Sequence, residues 1–436
     1  MILANLDALR ATMQSVHDSG ANLSLAWRLQ QLKTLRGALL EFWDDFLDSL
    51  QDDLGKHKVE SVMGELNIVL YEVDLAIRQV RKWMKPDRVA GPMALLPASY
   101  RIEKRPLLGP ACLIIGPFNY PAQLTMLPLI GALAAGNPVV LKPSELAPKT
   151  SAVLEKALHK HFDASVVRVL NGGVPLTTEL LKLPWGKIFF TGSERVGRIV
   201  ALAAAQTLTP VVLELGGKSP VIIDETAPWD IQTVANRIVW GKFFNVGQTC
   251  VAPDYVLVHE SKVEKLLESL VRTTEWQYGT NHRESELGRI VSETHALRLQ
   301  KMIQEVEQCE ETRMIVGKSI DCDPSDRYVC PTIIFNPPLK ARLWGEEVFG
   351  PILPIRPFQT HQEAVDFVRS RAGTPLAAYV FTRYENVLQE YMRDIRTGAV
   401  FRNDVSKKRS FDSLIRRMLI LYTCFPLRCL LIFYTY

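Results

Sequence analysis

The sequence predicts an α/β protein made of two parallel-sheet units. After residue 110, short apolar runs alternate with helical segments, and the alternation restarts near residue 211. Before residue 85 the chain reads as helices. Parallel neighbours need a long return connection, normally a helix, so strand–helix alternation points to a parallel sheet. A chain of 436 residues has room for two or three such domains.

Over residues 1–85, Val62, Leu66, Val69, Val73, Ile77 and Val80 recur every three or four positions, the spacing of one apolar helix face. Lys85-Pro86 stops that helix. Residues 91–110 are rich in proline and β-formers and predict a hairpin-like excursion. Buried strands are expected at Ala111–Ile115, Pro138–Leu141, Val166–Leu170 and Lys187–Phe190, each ending in a Gly, Pro, Asn or Lys turn. Val211–Leu215 and Pro220–Asp224 restart the pattern, so a second unit begins near Gly216. Helices are expected around 229–244, 262–274 and 293–307.

Composition excludes several classes. Hydrophobic residues make up 47% and charged residues 22%, ordinary for a protein with a large core. The net charge of +4 is scattered among many acidic residues and argues against a nucleic-acid partner. None of the seven cysteines forms a CxxC pair, which argues against a zinc site and predicts no metal. Their odd number in a long chain argues against a disulfide scaffold. The start, MILANLDALRATMQ, has helical spacing and lacks the unbroken apolar core of a signal peptide. Together these favour a reducing compartment without choosing which one; a cytoplasmic setting is the expectation.

Five stretches can carry chemistry. In FFTGSERVG (189–197) a strand runs into Gly192 and a helix starts near Ser193, where backbone N–H groups can hold a phosphate. The Gly192–Gly197 spacing is not GxGxxG, and a plain strand–helix turn is the alternative. In VVLKPSE (139–145), Lys142 and Glu145 sit at the carboxyl end of a strand, where ligands bind in open α/β sheets. They suit ribose hydroxyls; the alternative is a solvated turn with Ser144 capping a helix. In VVLELGGKSP (211–220), Glu214 lies inside an apolar strand. A buried carboxylate is costly, and desolvation raises its pKa toward the range of a general base. The alternative is an outward-facing Glu on an edge strand. In FFNVGQTCVAPD (243–254), Gly247 permits an unusual turn before Cys250, a candidate nucleophile or else a small buried hydrophobe. In EEVFGPILPI (346–355), Glu347 and Phe349 share a side in extended chain and suit a ribose beside a flat ring; the alternative is a loop entering a strand.

The order and spacing of these blocks resemble the aldehyde dehydrogenase superfamily, nearest its class 3 and fatty aldehyde branch. GPFNYP (116–121), LKPSE (141–145), FTGS (190–193), LELGGKSP (213–220), GQTCVAPDY (247–255), EEVFGP (346–351) and TGAVFRND (397–404) carry the likeness over roughly residues 5–405. It implies two Rossmann-like parallel α/β domains plus a small oligomerisation hairpin. The implied divisions are 1–90, the helical part of the cofactor domain; 91–110, the hairpin; 111–215, the NAD(P)-binding domain; 216–395, the catalytic domain; and 396–436, an altered C-terminal segment.

The resemblance also implies a chemistry. Cys250 attacks an aldehyde, expected to be medium- or long-chain aliphatic or aromatic, and Asn119 with the Cys250 N–H stabilises the oxyanion. Hydride passes to NAD or NADP, and Glu214 activates the water that hydrolyses the thioester. Gly192, Ser193 and Gly197 fall on the cofactor phosphates, Lys142 and Glu145 on the adenosine ribose, and Glu347 and Phe349 on the nicotinamide ribose. A homodimer is implied as well. After Asp404 the likeness changes: NDV (403–405) runs directly into KKRSFDSL (407–414), where the family carries a Gly-rich block. The alternative is therefore a catalytically impaired paralogue with a structural or membrane-associated role. The apolar stretch 418–436 is interrupted by Pro426 and Arg428, which rank a membrane anchor second.

Overall fold

The computed structural model describes residues 2–91, 99–228, 230–371, 373–405 and 434–435. They fall into two units, each with its own sheet. One holds the described residues of 2–53, 61–215 and 434–435, the other those of 54–60 and 216–405.

Helices Ile2–Asp18, Leu25–Glu41, Trp43–Leu54, Lys58–Ser61 and Asn67–Trp83 account for most of the chain before residue 85. A five-residue π-helical turn, Val62–Leu66, joins the last two. That turn changes which residues face inward: Gly64, Glu65 and Leu66 are consecutive and all buried. The strands β1 (Asp87–Val89) and β2 (Tyr100–Ile102) pair antiparallel, with Asp87 opposite Ile102. The predicted hairpin is thus shifted: its first arm precedes residue 91, and its connection, 92–98, lies outside the described residues. The short β3 (Arg105–Pro106) pairs instead with Tyr434–Thr435.

The main sheet of the first unit contains β4 (Cys112–Ile115), β5 (Val139–Lys142), β6 (Val167–Val169), β7 (Lys187–Gly192) and β8 (Val211–Leu215). All five are parallel, in the order β6-β5-β4-β7-β8. Every residue of β4 and β5 is buried, as expected for strands covered on both faces. The edge strand β8 is only half-buried throughout.

The second unit has a seven-stranded sheet formed by β9 (Pro220–Ile223), β10 (Tyr255–His259), β11 (Arg313–Val316), β12 (Thr332–Phe335), β13 (Ile352–Phe358), β14 (Ala377–Phe381) and β15 (Ala399–Arg402). Its order is β11-β12-β13-β10-β9-β14-β15, parallel except for β11 at one edge. Two expected divisions shift here. Residues 54–60 group with this unit because the Leu54 carbonyl accepts from the Arg289 N–H at 2.6 Å and the Glu60 carboxylate accepts from the Asn245 N–H. The expected boundary at 395 cuts the sheet, since β15 pairs in register with β14. Among the described residues no helix is long and apolar enough to cross a membrane; residues 418–433 and 436 of the apolar stretch lie outside them.

Candidate active site

In the first unit the predicted residues gather at the carboxyl edge of the parallel sheet. Ile115 ends β4 and pairs with both Lys142 of β5 and Phe190 of β7. The loops leaving these strands carry Asn119, Glu145 and Ser193, and Gly192 ends β7. This is the edge where open α/β sheets bind ligands.

Asn119 is buried in the turn between β4 and the helix Gln123–Ala135. Glu65 fixes the far side of that turn: its Oε2 accepts from the N–H groups of Ala122 and Gln123 at 2.9 and 3.1 Å. A carboxylate at a helix start satisfies orphan donors and complements the positive end of the helix dipole. Lys142, buried, donates to Glu145 Oε2 at 2.5 Å. Burial opposes ionisation of Glu145, but the Lys142 hydrogen bond and its own backbone N–H prevail and hold its pKa below the usual carboxylate value. Ser144 accepts from the Leu146 N–H at 3.3 Å rather than capping the following helix. That cap comes from Asp53, which accepts from the N–H groups of Lys149 and Thr150 and from the Thr150 hydroxyl.

Ser193 is the N-cap of the helix Glu194–Gln206, its hydroxyl accepting from the Val196 N–H at 3.4 Å. Gly197 lies against the edge strand. A Cβ there would come 2.7 Å from a Leu215 methyl, so a larger residue would have to push that side chain aside for this helix start to approach β8. A Cβ on Gly192 would come 2.6 Å from the Phe190 ring. Glu214 is opposite Thr191 in parallel register. It is half-buried, not deeply buried as the sequence suggested, because β8 is an edge strand. A helix N-terminus, a Lys–Glu pair at the strand ends and close helix–strand packing are the features that dinucleotide sites use.

In the second unit Cys250 follows a run of left-handed backbone. Asn245, Val246 and Gly247 have φ of 52°, 55° and 73°. A Cβ on Gly247 would meet the Gly350 carbonyl at 2.3 Å, so the turn requires glycine for space as well as for φ. The Gln248 side chain holds this turn: its Oε1 accepts from the Val291 N–H at 2.9 Å and its Nε2 donates to the Arg289 carbonyl at 3.1 Å. Beyond it, the Tyr379 hydroxyl donates to the Val251 carbonyl at 2.5 Å. Cys250 itself is half-buried and outside any disulfide, the partial exposure that a working nucleophile needs.

A charged cluster holds the segment containing Glu347 and Phe349. Lys218 is buried, ion-paired to Asp254, and donates to the carbonyls of Leu343 and Glu346 at 2.8 Å each. Asp254 Oδ1 accepts from the Val348 N–H at 2.9 Å. Arg298 donates to the Val348 carbonyl at 2.5 Å. Val348 is fully buried between two half-buried neighbours. Phe349 is not extended, as expected, but left-handed, with φ 50°.

The Glu347 carboxylate accepts from the Gly217 N–H at 3.3 Å. A Cβ on Gly216 would sit 2.1 Å from its Oε2, which gives the Gly216-Gly217 pair a steric reason. Burial, reinforced by the Asp254 charge, pushes the Glu347 pKa up to about 8. Burial likewise pushes the Lys242 ammonium down to about 8 against the pull of Asp254. Sequence reading missed Glu65, Lys218, Lys242 and Asp254. Lys218 and Asp254 stood inside two of the quoted motifs, and Lys242 at the end of a predicted helix; charges in otherwise apolar surroundings were the available signal. Among the described residues, no group of acidic, His and Cys side chains forms a metal cluster.

A profile of the aldehyde dehydrogenase family matches residues 4–412. Similar proteins include 4,4'-diaponeurosporen-aldehyde dehydrogenase of Staphylococcus aureus, 42% identical over 87% of this chain and 81% of that protein. Another is aldehyde dehydrogenase family 3 member B1 of Homo sapiens, also 42% identical, over 91% of this chain and 82% of that protein. Among solved structures, Staphylococcus aureus AldH in a substrate-bound state superposes with a TM-score of 0.86 at 39% identity, covering 92% of this chain and 85% of that one. An indole-3-acetaldehyde dehydrogenase of P. syringae solved with NAD+ gives 0.80 at 25% identity, covering 92% and 81%.

Proposed function

Because the chain belongs to the aldehyde dehydrogenase family, whose members are oxidoreductases acting on aldehydes, we propose that it oxidises an apolar aldehyde to the acid through Cys250, with NAD or NADP as acceptor. The observation that carries this reading is the Cys250 turn: three left-handed residues and the Gln248 clamp hold a half-exposed thiol in one place. Strain of that kind persists where the surroundings over-determine it, and it is characteristic of functional sites.

The roles follow from chemistry. The Cys250 sulfur attacks the aldehyde carbon and forms a thiohemiacetal. Asn119, buried and set at a pinned helix start, offers its amide to the developing oxyanion, together with the Cys250 N–H. The nicotinamide, when bound, accepts the hydride that leaves the thiohemiacetal, and a thioester remains on Cys250. Glu214 takes a proton from the water that hydrolyses it, and half-exposure on an edge strand is compatible with water reaching its carboxylate. Lys142 and Glu145 bind the adenosine ribose; the start of the helix Glu194–Gln206, with Ser193 and Gly197, holds the phosphates. Glu347 and Phe349 orient the nicotinamide ribose. Medium- or long-chain aliphatic or aromatic aldehydes are the proposed substrates; one relative is named for 4,4'-diaponeurosporen-aldehyde.

The test is a panel of aldehydes with each cofactor, following absorbance of the reduced nicotinamide, beside Cys250→Ser. Turnover of apolar aldehydes is expected, with loss of at least about a thousandfold in the variant, on the scale of a missing nucleophile, and little change in cofactor binding. Turnover by Cys250→Ser at the wild-type rate removes Cys250 from the mechanism. A wild-type chain that binds cofactor but turns over no aldehyde favours the impaired paralogue.

A further inference from the structure

Cys322 and Cys330 have no part in this chemistry, yet their sulfurs lie 3.5 Å apart. Both side chains are buried in the second unit; Cys322 is 8% exposed and Cys330 1%. The pair stands at the base of a tight loop. Asp323 and Tyr328 close it as an antiparallel bridge, each N–H donating to the other's carbonyl at 2.9 Å. The Lys318 carbonyl accepts from both thiols, at 3.3 Å from Cys330 and 3.7 Å from Cys322. A disulfide has an S–S distance of about 2.05 Å, so the sulfurs need to close by only ~1.5 Å.

The loop between them bears on the Cys250 turn. The Arg327 carbonyl accepts from the Ile290 N–H at 2.9 Å, and the Arg327 guanidinium reaches the Val291 carbonyl at 3.5 Å. Arg289 lies over the Tyr328 ring at 5.3 Å. The next groups along, the Val291 N–H and Arg289 carbonyl, are the two that clamp Gln248, two residues before Cys250.

We propose that Cys322 and Cys330 form a reversible disulfide site, separate from Cys250, whose oxidation by a peroxide is felt at the segment that clamps Gln248. One thiolate attacks the peroxide. The O–O bond breaks, an S–O bond forms, and the hydroxide released takes up the proton that thiol gave up and leaves as one water. The second sulfur then displaces the hydroxyl as a second water, forming the S–S bond. The two sulfurs supply the two electrons that reduce the peroxide. Cys322 is the more exposed of the two and is the residue that a molecule as small as hydrogen peroxide would meet first. Shortening the S–S distance draws the base of the loop inward and loads the Arg327–Ile290 contact.

The experiment uses the full chain with Cys250→Ser as host, so that oxidation of that thiol does not enter the readout. The reduced protein is treated with hydrogen peroxide, alkylated under denaturing conditions, digested without reductant and mapped by mass. The expected result is a cross-link joining the Cys322 and Cys330 peptides, with loss of two hydrogens and two alkylatable thiols. Dithiothreitol restores both. Hydrogen exchange at the Ile290 and Val291 amides changes on oxidation and reverts on reduction. Adding Cys330→Ser, or Cys322→Ser if that variant folds poorly, abolishes both effects. Full alkylation of both cysteines after peroxide, a cross-link to any other cysteine, or unchanged exchange at 290–291 overturns the proposal.

Discussion

Glu347 and Lys242 show how a buried cluster sets the charge of single residues. The folded Glu347 carboxyl titrates at about 8 against an ordinary value of 4.5. Between those values the folded chain keeps a proton that the unfolded chain has lost. Stability contributed by this group is therefore present below 4.5 and falls as pH rises through about 8. Lys242, pushed down from 10.5 to about 8, acts with the opposite sign across its own window, adding stability as pH rises from about 8 to 10.5. Replacing Glu347 by Gln removes the first effect. The melting temperature of Glu347→Gln minus that of the parent should climb between pH 4.5 and about 8; a flat difference contradicts the assignment. Glu145 poses a different question. It is held ionised beside Lys142, and at the proposed ribose position its charge would repel a 2′-phosphate. Glu145→Gln should shift the NADP/NAD ratio of kcat/KM toward NADP by on the order of tenfold, equivalent to ~1.4 kcal/mol. An unchanged ratio shows that Glu145 does not discriminate.

At the scale of elements, several helix ends are finished by residues far away in sequence. Asp53 caps the helix Pro148–His161, and Glu65 caps Gln123–Ala135. Asp53→Ala should destabilise the chain by about 1–3 kcal/mol in denaturant unfolding, the cost of losing a cap and leaving buried donors unmet. Asp53→Asn should recover part of it. A loss below about 0.5 kcal/mol in the Ala variant removes the capping role. Such caps were illegible in the sequence, where Ser144 stood beside the helix start and Asp53 almost a hundred residues earlier. The elements themselves were legible wherever local pattern and tertiary burial agree. Central strands such as β4 and β5 are unbroken apolar runs because both faces are covered. The π-helical turn at Val62–Leu66 was not, since one extra residue per turn leaves no periodic signature in so short a stretch. The burial of Glu214 was overestimated for a related reason: an apolar run does not reveal whether its strand is central or at an edge.

For the whole molecule, two parallel sheets and the restart near Gly216 were readable from strand–helix alternation, and each sheet presents its motif residues on loops and strand ends. The left-handed Phe349 and the group holding residues 54–60 were not, because both are fixed by long-range hydrogen bonds. The motif residues matter only if they perform one reaction in sequence, with Cys250 carrying the acyl group and Glu214 releasing it. The most direct measurement arrests the chain between those steps. Glu214→Gln is mixed with an apolar aldehyde and NAD, reduced nicotinamide is followed over the first turnover, and the protein is digested and weighed. The account predicts a burst of about one reduced cofactor per chain, then slow turnover, with the acyl mass on the Cys250 peptide. Steady turnover at the parent rate with no adduct, or an acyl group on any other residue, contradicts it.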